Sequence, residues 1–148
     1  MIIADQSAAV PARRQGQTSQ RTVKSLGQLP LAGKSVLIIE DEPLIAMGIE
    51  SCLQDIGAAV VKITNSVAFA QRALDEGIPF DAAIVDLHVA DGDASSLIQI
   101  LSERGIPVVI TTGYEVDRKQ PALGRAVAIL RKPHTESDLI IALGRAIN

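Results

Sequence analysis

Several residues able to do chemistry stand where apolar runs of this chain stop. Glu40 and Asp41 follow Val36-Leu-Ile-Ile, Asp86 follows Ala82-Ala-Ile-Val, Thr111 and Thr112 follow Val108-Val-Ile, and Lys132 follows Ala128-Ile-Leu-Arg. Asp86 most needs explaining, because a run with β-branched Ile84 and Val85 reads as a strand buried on both faces, where an ionised carboxylate is costly. Taken singly, the others have plain readings: Glu40 and Asp41 favour a helix N-terminus, a threonine ends a strand, and Lys132 is a surface charge. Brought together, they form a different object. Carboxylates a few ångströms apart repel by about 1 kcal/mol per pair in water and by several times that at a partly buried site. Lys132 can offset part of that repulsion and a hard divalent cation the rest. Magnesium suits a site with few carboxylates, which leaves coordination positions for water or phosphate oxygens, so phosphoryl groups are the natural ligand class.

The elements that would position these residues alternate. Apolar runs predict strands over 36–40, 59–63, 80–86, 107–112 and 126–131, each followed by a helical pattern or a break. The first helix begins at Pro43, whose missing N–H costs little in a first turn, and stops at Gly57; Ile45, Ile49, Cys52 and Ile56 form its expected buried stripe. Leu44, Met47 and Ser51 lie off that stripe. The second helix spans 66–75 with Val67, Ala70 and Leu74 inward, and the third spans 94–103 with Leu97, Ile98 and Leu101 inward. Pro121 and Gly124 interrupt the place of the fourth, which is expected to be short or irregular with a mobile loop before it, because Pro costs about 3 kcal/mol in a helix interior. Thr135 with Asp138 three residues on forms a variant capping box that opens a last helix to about Ile147. Such βα alternation demands a parallel sheet covered by helices on both faces, and right-handed crossovers put every strand's carboxyl end on one edge. Ligands of open α/β sheets bind at that edge. There Glu40, Asp41, Asp86, Thr111 or Thr112, and Lys132 would converge.

Composition bounds the rest. A length of 148 residues suits one domain, and a net charge of −3 argues against a dedicated nucleic-acid binder, which draws most of its affinity from Lys and Arg. Residues 1–34 carry five basic residues against Asp5 and mix Gln, Ser, Thr, Gly and Pro without apolar periodicity, so they are expected to be a flexible basic tail, with the domain over 35–148. Cys52 is the only cysteine and has no disulfide partner within the chain, which fits a reducing compartment. No apolar run is long enough to cross a bilayer and no signal peptide is evident, so a soluble cytoplasmic protein is expected.

Glu40-Asp41 after the first strand, Asp86 after the third, Thr112-Gly113 after the fourth and Lys132-Pro133 after the fifth resemble the receiver domain of two-component response regulators. The resemblance implies an α/β, flavodoxin-like, doubly wound five-stranded sheet of order 2-1-3-4-5; that order is a known property of this fold rather than a deduction from the sequence. It further implies that Asp86 is the phosphoacceptor, taking a phosphoryl group from a histidine kinase or histidine phosphotransfer protein. Mg2+ would be held by Asp41, Asp86 and the backbone carbonyl of His88, with Glu40 acting mainly through a bound water. Lys132 would pair with Asp86 before transfer and with a phosphoryl oxygen after it, and Thr112 would hydrogen-bond another. The expected function is a single-domain response regulator that signals to a downstream protein by binding, with self-phosphorylation from small phosphodonors and autodephosphorylation as its only catalysis. Neither a membrane nor nucleic acid is expected as a partner.

Two other readings start from the same residues. One is a phosphorylation-independent pseudo-receiver that keeps the fold as a binding module; the other is a small phosphatase with an aspartate nucleophile. Departures from the family pattern sharpen the first. Ala90 stands where the family often has Pro, and Gly92 comes six residues after Asp86, so a shortened third loop is expected. Ile129 occupies the switch position three residues before the lysine, usually Tyr or Phe. Tyr114 stands near enough in sequence to Thr112 to cover the site, and His88 and His134 read as loop residues rather than transition-metal ligands.

Overall fold

The computed structural model describes residues 29–117 and 119–148. Five strands form one parallel sheet: β1 (Ser35–Ile39), β2 (Val60–Thr64), β3 (Ala82–Asp86), β4 (Val108–Thr112) and β5 (Ala128–Arg131). Their spatial order is β2-β1-β3-β4-β5, the expected 2-1-3-4-5. Four helices connect them, α1 (Pro43–Asp55), α2 (Val67–Asp75), α3 (Ser95–Glu103) and α4 (Pro121–Gly124), and α5 (Glu136–Ile147) follows β5.

The sheet divides two cores. On one face Leu37, Ile39, Val85 and Ile110 meet Ala70 and Leu74 of α2, Leu97, Ile98 and Leu101 of α3, and Leu123 of α4. On the other, Val36, Ile38, Ile84 and Val109 meet Ile49 and Leu53 of α1 and Leu139 and Leu143 of α5. β3 and β4 are buried along their whole length, the pattern of strands covered on both sides. Each fully buried Leu, Ile or Val contributes about 1.5–3 kcal/mol by leaving water, which makes these two layers the main source of stability.

Local sequence signals account for the helix ends. Ser66 Oγ accepts from Phe69 N at the start of α2, and Thr135 and Asp138 form a complete capping box on α5. Pro121 starts α4 and Arg125 already ends it, so the fourth helix has 4 residues, as the Pro and Gly there require.

The structure departs from expectation in α1 and in the N-terminal segment, and it adds detail to the loop after β3. In α1 the buried stripe is Ala46, Ile49, Cys52 and Leu53, while Ile45 and Ile56 are only half-buried. Both stripes fit a helical period, and the helix rolls so that small Ala46 faces the sheet while Ile45 lies on its flank. The loop after β3 folds into a two-residue antiparallel ribbon, His88–Val89 against Gly92–Asp93. Gly92, at φ +117°, makes the turn that Ala90 and the displaced Gly implied.

The other departure concerns the expected tail over 1–34. Its residues 1–28 lie outside the described part, but Leu31 is fully buried in the α1–α5 core. Leu31 N donates to Ile56 O at 3.0 Å and Gly33 N to Gly57 O at 3.3 Å, so this segment braces the end of α1. Gly57 is needed there: its φ is +104°, and a Cβ would stand 3.1 Å from the Ala32 backbone. No helix among the described residues is long and apolar enough to cross a membrane.

Candidate functional site

The carboxyl ends of β1, β3 and β5 bring their polar residues to one point. Lys132 Nζ donates to Glu40 Oε2 at 3.0 Å and to Asp86 Oδ2 at 3.0 Å. Backbone amides hold the remaining carboxylate oxygens: Glu42 N donates to Glu40 Oε1 at 3.2 Å, and His88 N to Asp86 Oδ1 at 3.2 Å. Glu40 and Asp86 are buried, while Asp41 is half-buried. One oxygen from each of Glu40, Asp41 and Asp86 lies within 4.8 Å of the others.

This is a charge-rich arrangement with an unbalanced count, three carboxylates against one ammonium. Burial holds the Glu40 carboxyl above its ordinary value, and the Asp86 charge adds to that, whereas the hydrogen bonds from Lys132 and Glu42 N oppose it. For Lys132, burial favours the neutral amine, but hydrogen bonds to Glu40 and Asp86 outweigh it and the net shift is upward. The lysine is therefore a firm cation at physiological pH. The excess negative charge and the all-oxygen donor set match a hard divalent cation, and the three oxygens, within 4.8 Å of one another, need only a small contraction to share one ion at about 2.1 Å.

An open cleft of about 420 Å3 leads to these groups, lined by Asp41, Glu42, Asp86, His88, Gly113, Tyr114 and Lys132. The His88 and Tyr114 rings meet edge to face at its mouth, with centroids 5.3 Å apart. Tyr114 is 67% exposed, so it borders the cleft without closing it.

Neither expected threonine hydrogen-bonds to the charged cluster. Thr112 is buried, and its Oγ1 accepts from Tyr114 N at 3.1 Å, fixing the loop after β4. Neighbouring Thr111 is the register partner of Asp86, is equally buried, and has the only buried side-chain oxygen without a hydrogen-bond partner among the described residues. His134 is half-buried and does not line this cleft; it borders a separate one with Leu44, Ile45 and Leu139. Ile129 is half-buried against the α2–α3 core, beside a second cleft of about 250 Å3 that it shares with Thr112, Tyr114, Glu115, Val116 and Arg131.

The sequence reading missed Asp91. Its carboxylate accepts from Val67 N at 2.9 Å and Ala68 N at 3.1 Å, tying the loop after β3 to the first turn of α2. The Asp91-Gly92 pair signalled only a turn, and nothing local could reveal a hydrogen bond 24 residues away.

Comparison with known proteins places this edge in context. Residues 36–144 match the response regulator receiver domain family. The chain is 26% identical over 119 residues to the phyllosphere-induced regulator PhyR of Methylorubrum extorquens, covering 76% of this chain and 43% of PhyR, so it spans less than half of that relative. Among solved structures, SdrG of Sphingomonas melonis Fr1 is 32% identical over 78% of this chain and 98% of its own, with a TM-score of 0.64. A response regulator receiver protein of Sinorhizobium medicae WSM419 is 26% identical, with coverage of 78% and 95% and a TM-score of 0.70.

Proposed function

The chain belongs to the response regulator receiver domain family, and on that premise we propose that Asp86 accepts a phosphoryl group from a histidine kinase or histidine phosphotransfer protein. The observation that carries this reading is the position of Lys132, 3.0 Å from both Asp86 and Glu40 at the end of a cleft open to a donor. An Asp86 oxygen attacks phosphorus, the O–P bond of an acyl phosphate forms, and the P–N bond to the donor imidazole breaks with its electrons leaving on nitrogen. Lys132 orients the Asp86 carboxylate beforehand and follows the charge to a phosphoryl oxygen afterwards. Thr112 leaves the Tyr114 amide to donate to another phosphoryl oxygen. Asp41, Asp86 and the His88 carbonyl would hold Mg2+, with Glu40 reaching it through water, and the ion would supply charge neutralisation. What the chain itself contributes is position and preorganised charge.

The phosphorylated form then changes its affinity for a downstream protein. The test is intact mass after incubation with Mg2+ and acetyl phosphate: a labile adduct on the wild type and none on Asp86→Asn. An adduct that persists in Asp86→Asn overturns the assignment.

Ile129 favours a second reading, a binding module indifferent to phosphorylation, because the position lacks the ring that usually couples a site threonine to the surface. Partner capture separates the two. A partner held equally by wild type with acetyl phosphate and by Asp86→Asn supports the second reading.

A further inference from the structure

A buried hydroxyl without a partner costs about 1–3 kcal/mol relative to one that is bonded, so an instance beside a reactive group calls for a physical reason. Thr111 is that instance. It is 1% exposed, and its Oγ1 has no hydrogen-bond partner among the described residues.

Its place in the sheet is specific. Ile84, Val109 and Leu130 all pack into the α1–α5 core, and alternate residues of a strand share a face, so Asp86, Thr111 and Lys132 continue that face at the carboxyl ends of β3, β4 and β5. Thr111 is register partner to Asp86 on one side and to Leu130 on the other. With strands about 4.8 Å apart, Lys132 has to reach across β4 to touch Asp86, and Thr111 is the β4 residue beneath that reach.

Before transfer Asp86 has two donors, His88 N and Lys132 Nζ. Transfer moves negative charge outward onto the phosphoryl oxygens, and the lysine follows it. The Asp86 carbonyl oxygen is then one donor short, while the hydroxyl beside it is one acceptor short. We propose that Thr111 is a positioning residue for the phosphorylated state: by a turn about its Cα–Cβ bond, its hydroxyl donates to the Asp86 carbonyl oxygen once Lys132 has moved. The inference rests on the phosphoacceptor reading of Asp86. It gives the unmodified protein an unmet hydrogen bond that phosphorylation satisfies, so the residue favours the phosphorylated form.

The test compares wild type, Thr111→Val and Thr111→Ser by thermal melting and by titration with beryllium fluoride in excess Mg2+, an equilibrium mimic of the acyl phosphate. Valine keeps the shape and removes the hydroxyl. Thr111→Val is expected to melt at or above the wild-type temperature, yet to bind beryllium fluoride roughly three- to tenfold more weakly, the worth of one hydrogen bond. Thr111→Ser is expected to return affinity to within about twofold of wild type, as the same hydroxyl requires. Equal affinity of wild type and Thr111→Val overturns the inference alone, and so does equal weakening in both variants, which would assign the effect to shape. A markedly lower melting temperature for Thr111→Val also overturns it, since the hydroxyl would then be bonded at rest. Should wild type neither bind beryllium fluoride nor form an acetyl phosphate adduct, the reading of Asp86 fails and takes the inference with it.

Discussion

Glu40 is a buried carboxylate on a site that needs its charge, and those two facts pull in opposite directions. Burial is the largest influence on it and raises its pKa from the ordinary 4.5. A group shifted in that direction contributes stability in full below the unfolded value and loses it as pH rises through the higher folded value. Glu40→Gln is therefore expected to raise the melting temperature at pH 7 and to flatten its decline with pH from about 4.5 upward, measured by thermal melts without divalent cations. A variant less stable at every pH would mean that the Lys132 hydrogen bond outweighs burial. The acidic positions were legible in the sequence because each ends an apolar run, a change that needs no tertiary information to see. Which of Thr111 and Thr112 lies on the face of Asp86 was not. Adjacent strand residues face opposite sides, and only the register of β4 against β3 decides which threonine continues the face of Asp86.

Elements carry a different kind of information, because their ends are joined to distant parts of the chain. α2 begins with two amides bonded to Asp91, which hold that carboxyl below its ordinary value of 3.8. Stability from such a group is present above the unfolded value and lost as pH falls through the lower folded one. Asp91→Asn is expected to speed amide exchange at Val67 and Ala68 at neutral pH, with the difference from wild type fading in acid; hydrogen exchange by NMR measures both. An unchanged exchange pattern would mean the cap does not hold α2. Helix existence and the shortness of α4 could be read from Pro, Gly and the apolar period. The roll of α1 could not, because two stripes sharing Ile49 and Cys52 fit the same period, and contact with the sheet decides between them. Cys52 is buried on that face, and burial pushes its thiol up, so it belongs to packing rather than reactivity.

At the scale of the whole molecule, the described domain reaches back beyond the first strand. Leu31 fills the α1–α5 core although the composition around it reads as a solvated leader. Leu26, Leu29 and Leu31, broken by Gly27 and Pro30, form neither a helical nor an alternating pattern, which is why the boundary fell later in the sequence reading. Leu31→Ala is expected to cost about 2–5 kcal/mol in urea unfolding, as a fully buried leucine should, and a loss under about 0.5 kcal/mol would show that the segment does not support the core. The charged edge likewise depends on residues far apart in the chain. Glu40 lies 92 residues before Lys132, and Asp86 lies 46 before it. During synthesis all three carboxylates therefore leave the ribosome ahead of the one ammonium that answers them. A nascent chain that has docked its first four strands holds an acidic edge with no counter-charge from β5, and its own repulsion works against closing that edge. The one compensating charge arrives just after the last strand, so competence at this site reports that all five strands are in place.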